Sequence, residues 1–155
     1  MKIHRTLRLL LPALLAACAG ESSSDHAALP NKPWKDQTHD ERMVTMKKLV
    51  FPTMKDEFIR FDPKDFSDMT CATCHGPGAK DKTFKMPNPK LPKLPTTEAG
   101  FEKLKKDHPD AVQFMMNTVV PKVAGFVGEQ PYDPKTHQGF GCFRCHPKES
   151  AATGN

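Results

Sequence analysis

The sequence has few apolar residues and many prolines. Only 37% of its 155 residues are hydrophobic, and 15 are proline. A chain of this length is the size of one small domain, and so few apolar side chains build a thin core. We therefore expect a bound group to fill part of the interior. A large enzyme with several substrates is not predicted at this size.

Acidic residues are absent from the first 17 positions, which hold three of the 23 Lys and Arg residues. Without that segment 138 residues remain, with 20 basic and 18 acidic side chains, and the formal net charge falls from +5 to +2. The basic character of the chain therefore lies largely in its first residues. A broad cationic surface that binds nucleic acid is not predicted.

The same first segment has the pattern of an export signal. Its basic residues precede an apolar run over 9–17 that is too short to span a bilayer. The sequence Leu15-Ala16-Ala17-Cys18 resembles the lipobox of bacterial lipoproteins, in which the cysteine is acylated and becomes the new N-terminus. The resemblance implies a signal peptide over 1–17, a lipid anchor at Cys18 and a location on the periplasmic side of a bacterial membrane. Ala19 favours the outer membrane. The alternative is an ordinary signal that is cleaved nearby.

The remaining chain divides into a tether, a domain and a tail. Residues 18–35 contain three consecutive serines and two prolines with little apolar periodicity, which predicts a flexible tether. The folded domain is predicted over 36–146, and a disordered tail over 147–155.

Four cysteines remain once Cys18 is assigned to the anchor, and they form two pairs that are each followed by a histidine. The two segments match the C-x-x-C-H pattern of haem attachment, and they are Cys71-Ala72-Thr73-Cys74-His75 and Cys142-Phe143-Arg144-Cys145-His146. Two thiols about one helical turn apart can add to the two vinyl groups of one haem, and the adjacent histidine can then reach the iron. We therefore predict two covalently attached c-type haems with His75 and His146 as iron ligands. A zinc tetrathiolate and disulfides are the alternatives, but neither explains the histidines.

A repeat surrounds the two motifs. Phe61-Asp62-Pro63-Lys64 and Tyr132-Asp133-Pro134-Lys135 precede them at the same distance, with an offset of 71 residues. Further upstream the offset is 69, and it aligns two apolar stripes of helical spacing, positions 43, 46, 50, 54 and 58 with positions 112, 115, 119, 123 and 127.

Prolines predict the shape of each repeat. Pro52 and Pro121 are equivalent and should bend their helices, while the two Asp-Pro pairs should each begin a helix that carries a haem motif. The predicted fold is all-α, with two pseudo-repeats over about 39–75 and 108–146. Each consists of a kinked helix, a turn and a haem-bearing helix, packed around the two haems.

The repeat also selects candidates for the sixth iron ligands. Met46 and Met115 are the stripe position that is methionine in both copies, and a thioether opposite histidine favours ferrous iron. Methionine on an apolar stripe often serves only for packing, which we expect of Met43 and Met54. The alternatives that stay open are the aligned pair His39 and His108, and also Met86 and Met116.

The segment between the motifs is rich in proline and lysine. Five prolines lie within 76–95, which excludes a helix or a central strand and predicts an extended segment over the surface, close to a haem edge. Its five lysines form either a docking patch for an acidic partner or a solvated loop. A short connecting helix is predicted over 97–106.

With these motifs the chain looks like an exported dihaem c-type cytochrome. Its element order resembles the repeat unit of the tetrahaem cytochrome subunit of photosynthetic reaction centres, which is itself often lipid-anchored. The resemblance covers about 39–75 and 108–146, and this chain has two units instead of four. It implies electron transfer between redox donor and acceptor proteins, without enzymatic activity. The alternative is a small haem enzyme, or a gas or redox sensor, with one open iron coordination site.

Overall fold

The computed structural model describes residues 28–150. The predicted signal peptide, Cys18, the first part of the tether and residues 151–155 lie outside the described residues. Within 28–150 the chain is 57% helix with no strands, which confirms the predicted all-α class. In the same range, no helix combines the length and the apolar character that crossing a membrane requires.

The first long helix has three parts. They are α1 (His39–Thr45), a first π-helical segment (Met46–Val50) and α2 (Phe51–Phe61). Thr38 and Glu41 begin it with a capping box, in which the Glu41 N–H donates to Thr38 Oγ1 at 3.3 Å and the Thr38 N–H donates to Glu41 Oε2 at 2.7 Å.

Pro52 explains the π-helical segment. A proline within a helix removes one donor and its ring clashes with the preceding turn. The helix widens before Pro52, so that the Phe51 N–H donates to the Met46 carbonyl five residues back. The predicted distortion at this proline therefore takes the form of a π-helical segment.

The first C-x-x-C-H motif has a helix of its own. Asp62 caps α3 (Pro63–Phe66), accepting from the Lys64 and Asp65 N–H groups at 3.0 Å each. Helix α3 then ends, and the motif forms α4 (Cys71–His75), which Gly76 terminates at a φ of 55°. One more turn, α5 (Pro77–Lys80), follows. The prediction that Asp62 caps a helix is confirmed. The prediction of one helix from Pro63 through the motif is wrong, because helical structure stops after Phe66 and resumes at Cys71.

The second half also contains a long helix in three parts, which follows a shorter one. After α6 (Glu98–Asp107) come α7 (Pro109–Phe114), a second π-helical segment (Met115–Val119) and α8 (Val120–Phe126). Pro121 is the second residue of α8, and the Val120 N–H donates to the Met115 carbonyl. Thr97 caps α6, accepting from the Gly100 N–H at 3.2 Å, so the predicted connecting helix is confirmed to within a residue.

The second motif is not on an α-helix, and here the prediction is wrong. Cys142–Arg144 form one 3₁₀ turn, and Asp133 closes a turn by accepting from the Lys135 N–H at 2.8 Å. Before the first motif, Phe66 packs edge-on against Phe58, with ring centroids 4.8 Å apart, and anchors α3 in the core. The sequence offset of 71 residues places His137 at the corresponding position before the second motif, and His137 is exposed, so it provides no such anchor.

The core lies between the two long helices. The cluster of Val50, Met54, Phe58 and Met69 is buried, and half-buried side chains of both halves pack against it. Seven hydrophobic residues are buried within 28–150, which is the thin core that the composition predicts. The ion pair between Lys122 Nζ and Glu57 Oε1, 3.1 Å long, also joins α8 to α2.

Both ends of the predicted domain extend further than expected. Trp34–Asp36 form a 3₁₀ turn on α1, where Arg42 Nε donates to the Trp34 carbonyl at 3.2 Å. At the other end the Leu94 N–H donates to the Pro147 carbonyl at 2.9 Å, and the Glu149 N–H donates to the Leu94 carbonyl at 2.8 Å. Residues 34–36 and 147–149 therefore contact the helical part of the chain, although the sequence placed 34–35 in the tether and 147–149 in the tail.

Candidate functional site

Helix α4 presents the residues of the first motif at one end of the core. Cys71 is exposed, whereas Cys74 is half-buried and packs against the core cluster. His75 is the last residue of α4, and its ring meets Phe84 edge-on with the centroids 5.3 Å apart. The two thiols therefore lie one helical turn apart, as attachment to a single haem requires.

The His75 imidazole has an unusual environment. Burial lowers its pKa, and the nearby Phe84 backbone partly opposes the shift. Within residues 28–150, no group reaches hydrogen-bonding geometry with the buried His75 Nδ1. Buried polar atoms are nearly always paired in folded proteins. His75 Nδ1 is therefore an exception to this rule within the described residues.

The 3₁₀ turn of the second motif is closed by its own backbone. The Cys145 and His146 N–H groups donate to the Cys142 carbonyl at 3.1 and 2.9 Å. Arg144 pairs with Glu129, which follows α8, and its guanidinium lies 5.6 Å from the centre of the Phe140 ring. These contacts hold the turn against the segment that follows the second long helix.

The His146 ring is oriented by a backbone carbonyl. Its Nδ1 lies 3.0 Å from the Pro92 carbonyl oxygen. A carbonyl can only accept, so the Nδ1 atom carries the hydrogen in this contact, and the lone pair of the neutral ring is then on Nε2. That is the tautomer in which metal-binding histidines are usually held.

The two motifs meet at Asn88, although 71 residues separate them in sequence. Asn88 Nδ2 donates to the Cys74 carbonyl at 3.0 Å, and the Asn88 N–H donates to the Cys145 carbonyl at 3.0 Å. Residues 76–95 were predicted to be an extended surface segment without a helix, and this is wrong in two respects. The segment begins with α5, because Pro77 can occupy the first position of a helix, and Asn88 is buried between the motifs. Sequence reasoning did not select Asn88, because an asparagine between two prolines is typical of an ordinary turn.

Burial disfavours the ionised form of three of the motif thiols. Burial raises the pKa of Cys74 to about 11, with further contributions from Cys145 and Cys71. Burial also raises the pKa of Cys145 to about 11, assisted by Cys142 and opposed by Arg144. Burial raises the pKa of Cys142 as well. The contribution of Cys145 to the pKa of Cys74 again indicates that the motifs are close together.

Zinc binding and disulfide bonds were the alternatives to haem attachment, and residues 28–150 are not arranged for either. All four motif cysteines are free thiols. Among residues 28–150, no three His, Cys, Asp or Glu side chains are grouped so that they could hold a metal ion. Neither a disulfide nor a zinc tetrathiolate is therefore assembled in the described part of the chain.

The candidates for the sixth iron ligands have different surroundings. Met46 and Met115 are half-buried and pack against the same core cluster as Cys74. Met54 is 4% exposed within that cluster, which confirms its predicted packing role. The other candidates lie outside the cluster: Met116 is 51% exposed, Met86 is half-buried, His39 and His108 are exposed, and the His39 ring lies 6.3 Å from the Phe84 ring.

Comparison with known proteins yields no match to a protein family, to a curated protein or to a solved structure.

Proposed function

We propose that the chain is a dihaem c-type cytochrome that transfers electrons. Cys71, Cys74 and His75 would hold one haem, and the second would be held by Cys142, Cys145 and His146. The observation that carries this proposal is the contact between His146 Nδ1 and the Pro92 carbonyl, because it leaves the lone pair of Nε2 available to bind a metal. Histidines that bind iron or zinc are commonly oriented in this way.

The first motif supports the same function by a different observation. A buried imidazole nitrogen without a partner is costly in a finished structure, and His75 Nδ1 is such an atom within residues 28–150. Either nitrogen of a neutral imidazole can bind a metal. The donor set of two thiols and one histidine thus fits a covalently bound haem at each motif.

Haem supplies a one-electron change in the oxidation state of iron, and the chain's own residues supply the rest. Six motif side chains attach and ligate, while the long helices and the segment between the motifs position them. No further catalytic group is needed for electron transfer, so we propose that the protein is not an enzyme.

We also propose that the chain consists of two pseudo-repeats. The π-helical segments support this, since they begin at Met46 and Met115, which the repeat aligns, and each precedes an aligned proline. Such segments are frequent at functional sites. Met46 and Met115 remain our proposed sixth ligands, with His39 and His108 as the competing pair.

The cellular setting is part of the proposal. Attachment through Cys18 would hold the protein at the periplasmic side of a bacterial membrane, with the outer membrane favoured by Ala19. Redox donor and acceptor proteins are the expected partners. The exposed lysines at positions 80, 82, 85, 90 and 93 would then attract an acidic partner.

Haem analysis of the exported protein tests the function. We expect two haems per chain that remain attached after unfolding, because thioether bonds survive denaturation. Replacing both cysteines of one motif by serine should leave one haem, and the Cys18→Ser control should keep both. One haem or bound zinc in the unaltered protein contradicts the proposal. Rapid binding of carbon monoxide to the reduced protein would indicate an open iron and favour the enzyme or sensor alternative.

A further inference from the structure

We propose that Asn88 is a positioning residue that fixes the two haem-binding motifs relative to each other, and thereby sets how strongly the two haems interact. This inference rests on the proposed function. It assigns to one residue the connection between the two sites.

The hydrogen bonds of Asn88 use nearly all its polar groups. The side chain donates from Nδ2 to the Cys74 carbonyl, and Oδ1 accepts from the Lys90 N–H at 2.9 Å. The backbone N–H donates to the Cys145 carbonyl at 3.0 Å, and the backbone carbonyl accepts from the Leu91 N–H at 3.2 Å. Asn88 is 1% exposed, so these bonds are made away from water. Loss of a buried partner costs more than an exposed hydrogen bond contributes.

The first motif is shaped to receive this side chain. Gly76, which follows His75, has a φ of 55°, a conformation that glycine adopts most easily. A Cβ atom at position 76 would lie 2.3 Å from Asn88 Oδ1. The close approach of Asn88 therefore needs a glycine at the end of α4.

The second motif is held by the residues that follow Asn88. Residues 88–94, here called the inter-motif segment, contact it at three successive places. The Cys145 carbonyl accepts from Asn88, His146 Nδ1 donates to Pro92, and Leu94 pairs with the chain beyond His146. Since the same segment is tied to the first motif through the Asn88 side chain, a shift of one motif must carry over to the other.

The identity of the side chain matters for this role. The Cys74 carbonyl needs a donor, which the asparagine amide provides. An aspartate has almost the same shape, but its carboxylate would face the carbonyl oxygen and could not donate. The Asn88→Asp variant thus separates hydrogen bonding from packing. Asn88→Ala removes both, and Asn31→Ala changes an exposed asparagine as the control.

The experiment uses the full chain with its haems, after haem content has been measured. Two haems at a fixed short distance give a bisignate Soret circular dichroism signal, and its amplitude reports their relative position. We expect Asn88→Asp and Asn88→Ala to keep two haems and to lose amplitude, whereas Asn31→Ala matches the unaltered protein. Unchanged amplitude in Asn88→Asp overturns the inference.

Hydrogen exchange gives a readout that does not need haem. We expect exchange over residues 142–149 to become about tenfold faster in Asn88→Asp, in line with the loss of one buried hydrogen bond. In the unaltered chain the Asn88 N–H should be protected, and rapid exchange there overturns the inference even if no variant folds. If the unaltered protein lacks haem but Asn88 is protected, the proposed function fails and the structural connection stands.

Discussion

At the scale of single residues, Met46 and Met54 are the most informative comparison. They lie on the same apolar stripe, about two helical turns apart. Met54 is surrounded by the core, whereas Met46 is half-buried at the start of a π-helical segment. Removing a side chain that only packs should lower stability, whereas removing an iron ligand should change the absorption spectrum and the reduction potential.

We expect Met46→Ala and Met115→Ala each to remove part of the weak red sulfur-to-iron absorption of the oxidised protein and to lower one potential. Their cost in unfolding free energy should be about 1–2 kcal/mol, since both side chains are only half-buried. The matched control, Met54→Ala, should cost about 2–4 kcal/mol and leave the absorption intact. Absorption spectra, redox titration and urea unfolding measure these quantities.

The opposite pattern would assign the ligands to histidine. If the unaltered protein lacks the red absorption and His39→Ala and His108→Ala become high-spin, both sixth ligands are histidines. If the absorption is lost in only one methionine variant, the two sites differ, and Met86 and Met116 become the next candidates.

Single residues also show where sequence reasoning stops. The motif cysteines and histidines could be selected because the proposed haem attachment requires them at fixed local spacing. Asn88 could not, because its partners in the motifs are not its sequence neighbours: Cys74 lies 14 positions earlier in the chain, and Cys145 lies in the other motif. Hydrogen bonds of that kind depend on how the segments pack and leave no local pattern.

At the scale of elements, the two π-helical segments follow from the prolines after them. Each segment ends with a hydrogen bond from the residue before the proline to the methionine carbonyl five residues back. The segment changes the angular spacing of the side chains that follow it on the helix. Pro52 and Pro121 therefore influence the direction in which Met46 and Met115 point relative to the rest of their stripes.

We expect Pro52→Ala to convert the first π-helical segment to regular α-helix, because residue 52 gains an N–H that can donate to the Lys48 carbonyl. The free energy of unfolding should rise by about 1 kcal/mol. In the haem-loaded protein the Met46 absorption should shift or disappear. Amide exchange at positions 51 and 52 and the red absorption test this.

Pro63→Ala is the control, since Pro63 is the first residue of α3, where no donor is needed. It should leave the absorption unchanged. An unaltered exchange pattern in Pro52→Ala would mean that the proline does not cause the π-helical segment.

The elements were predictable where apolar spacing and prolines act together, as in the two long helices. The second motif was not, although Asp133-Pro134 repeats Asp62-Pro63. Thr70, which precedes α4 and donates its N–H to Thr73 Oγ1 at 3.0 Å, has Gly141 as its counterpart. The second motif therefore lacks both the hydrogen bond that begins α4 and a ring like that of Phe66 in the core, and it forms only one 3₁₀ turn. The sequence alone does not show this, because it depends on how the segments pack.

At the scale of the whole molecule, carboxylates help to hold the helices in place. The Lys122 ammonium lowers the pKa of Glu57, and burial partly opposes it. Hydrogen bonds from Lys32 and from the Thr38 backbone lower the pKa of Glu41 from 4.5 to about 2. A carboxyl whose pKa is lower in the folded chain stabilises it above the unfolded pKa, and the effect is lost as the pH falls.

We therefore expect these two carboxyls to make a constant contribution to the free energy of unfolding above about pH 5. Their contribution should decrease from about pH 4.5 towards pH 2. Glu57→Gln should make the decrease less steep, because Lys122 then has no ionised partner at any pH. The control is Asp56→Asn, an exposed acid on the same helix. Denaturant unfolding at a series of pH values measures the slopes. Equal slopes for Glu57→Gln and the unaltered chain would contradict the contribution of the Lys122 pair.

The pairing of Leu94 with Pro147 and Glu149 bears on the order in which the chain is made. A ribosome delivers the first long helix, the first motif and the inter-motif segment well before residues 142–149. During that interval Asn88, Pro92 and Leu94 have no partners from the second motif. Newly made chains therefore offer Cys71 and Cys74 for reaction before Cys142 and Cys145 have been added to the chain. The proposed attachment of the second haem would then be the later of the two events in the life of each molecule.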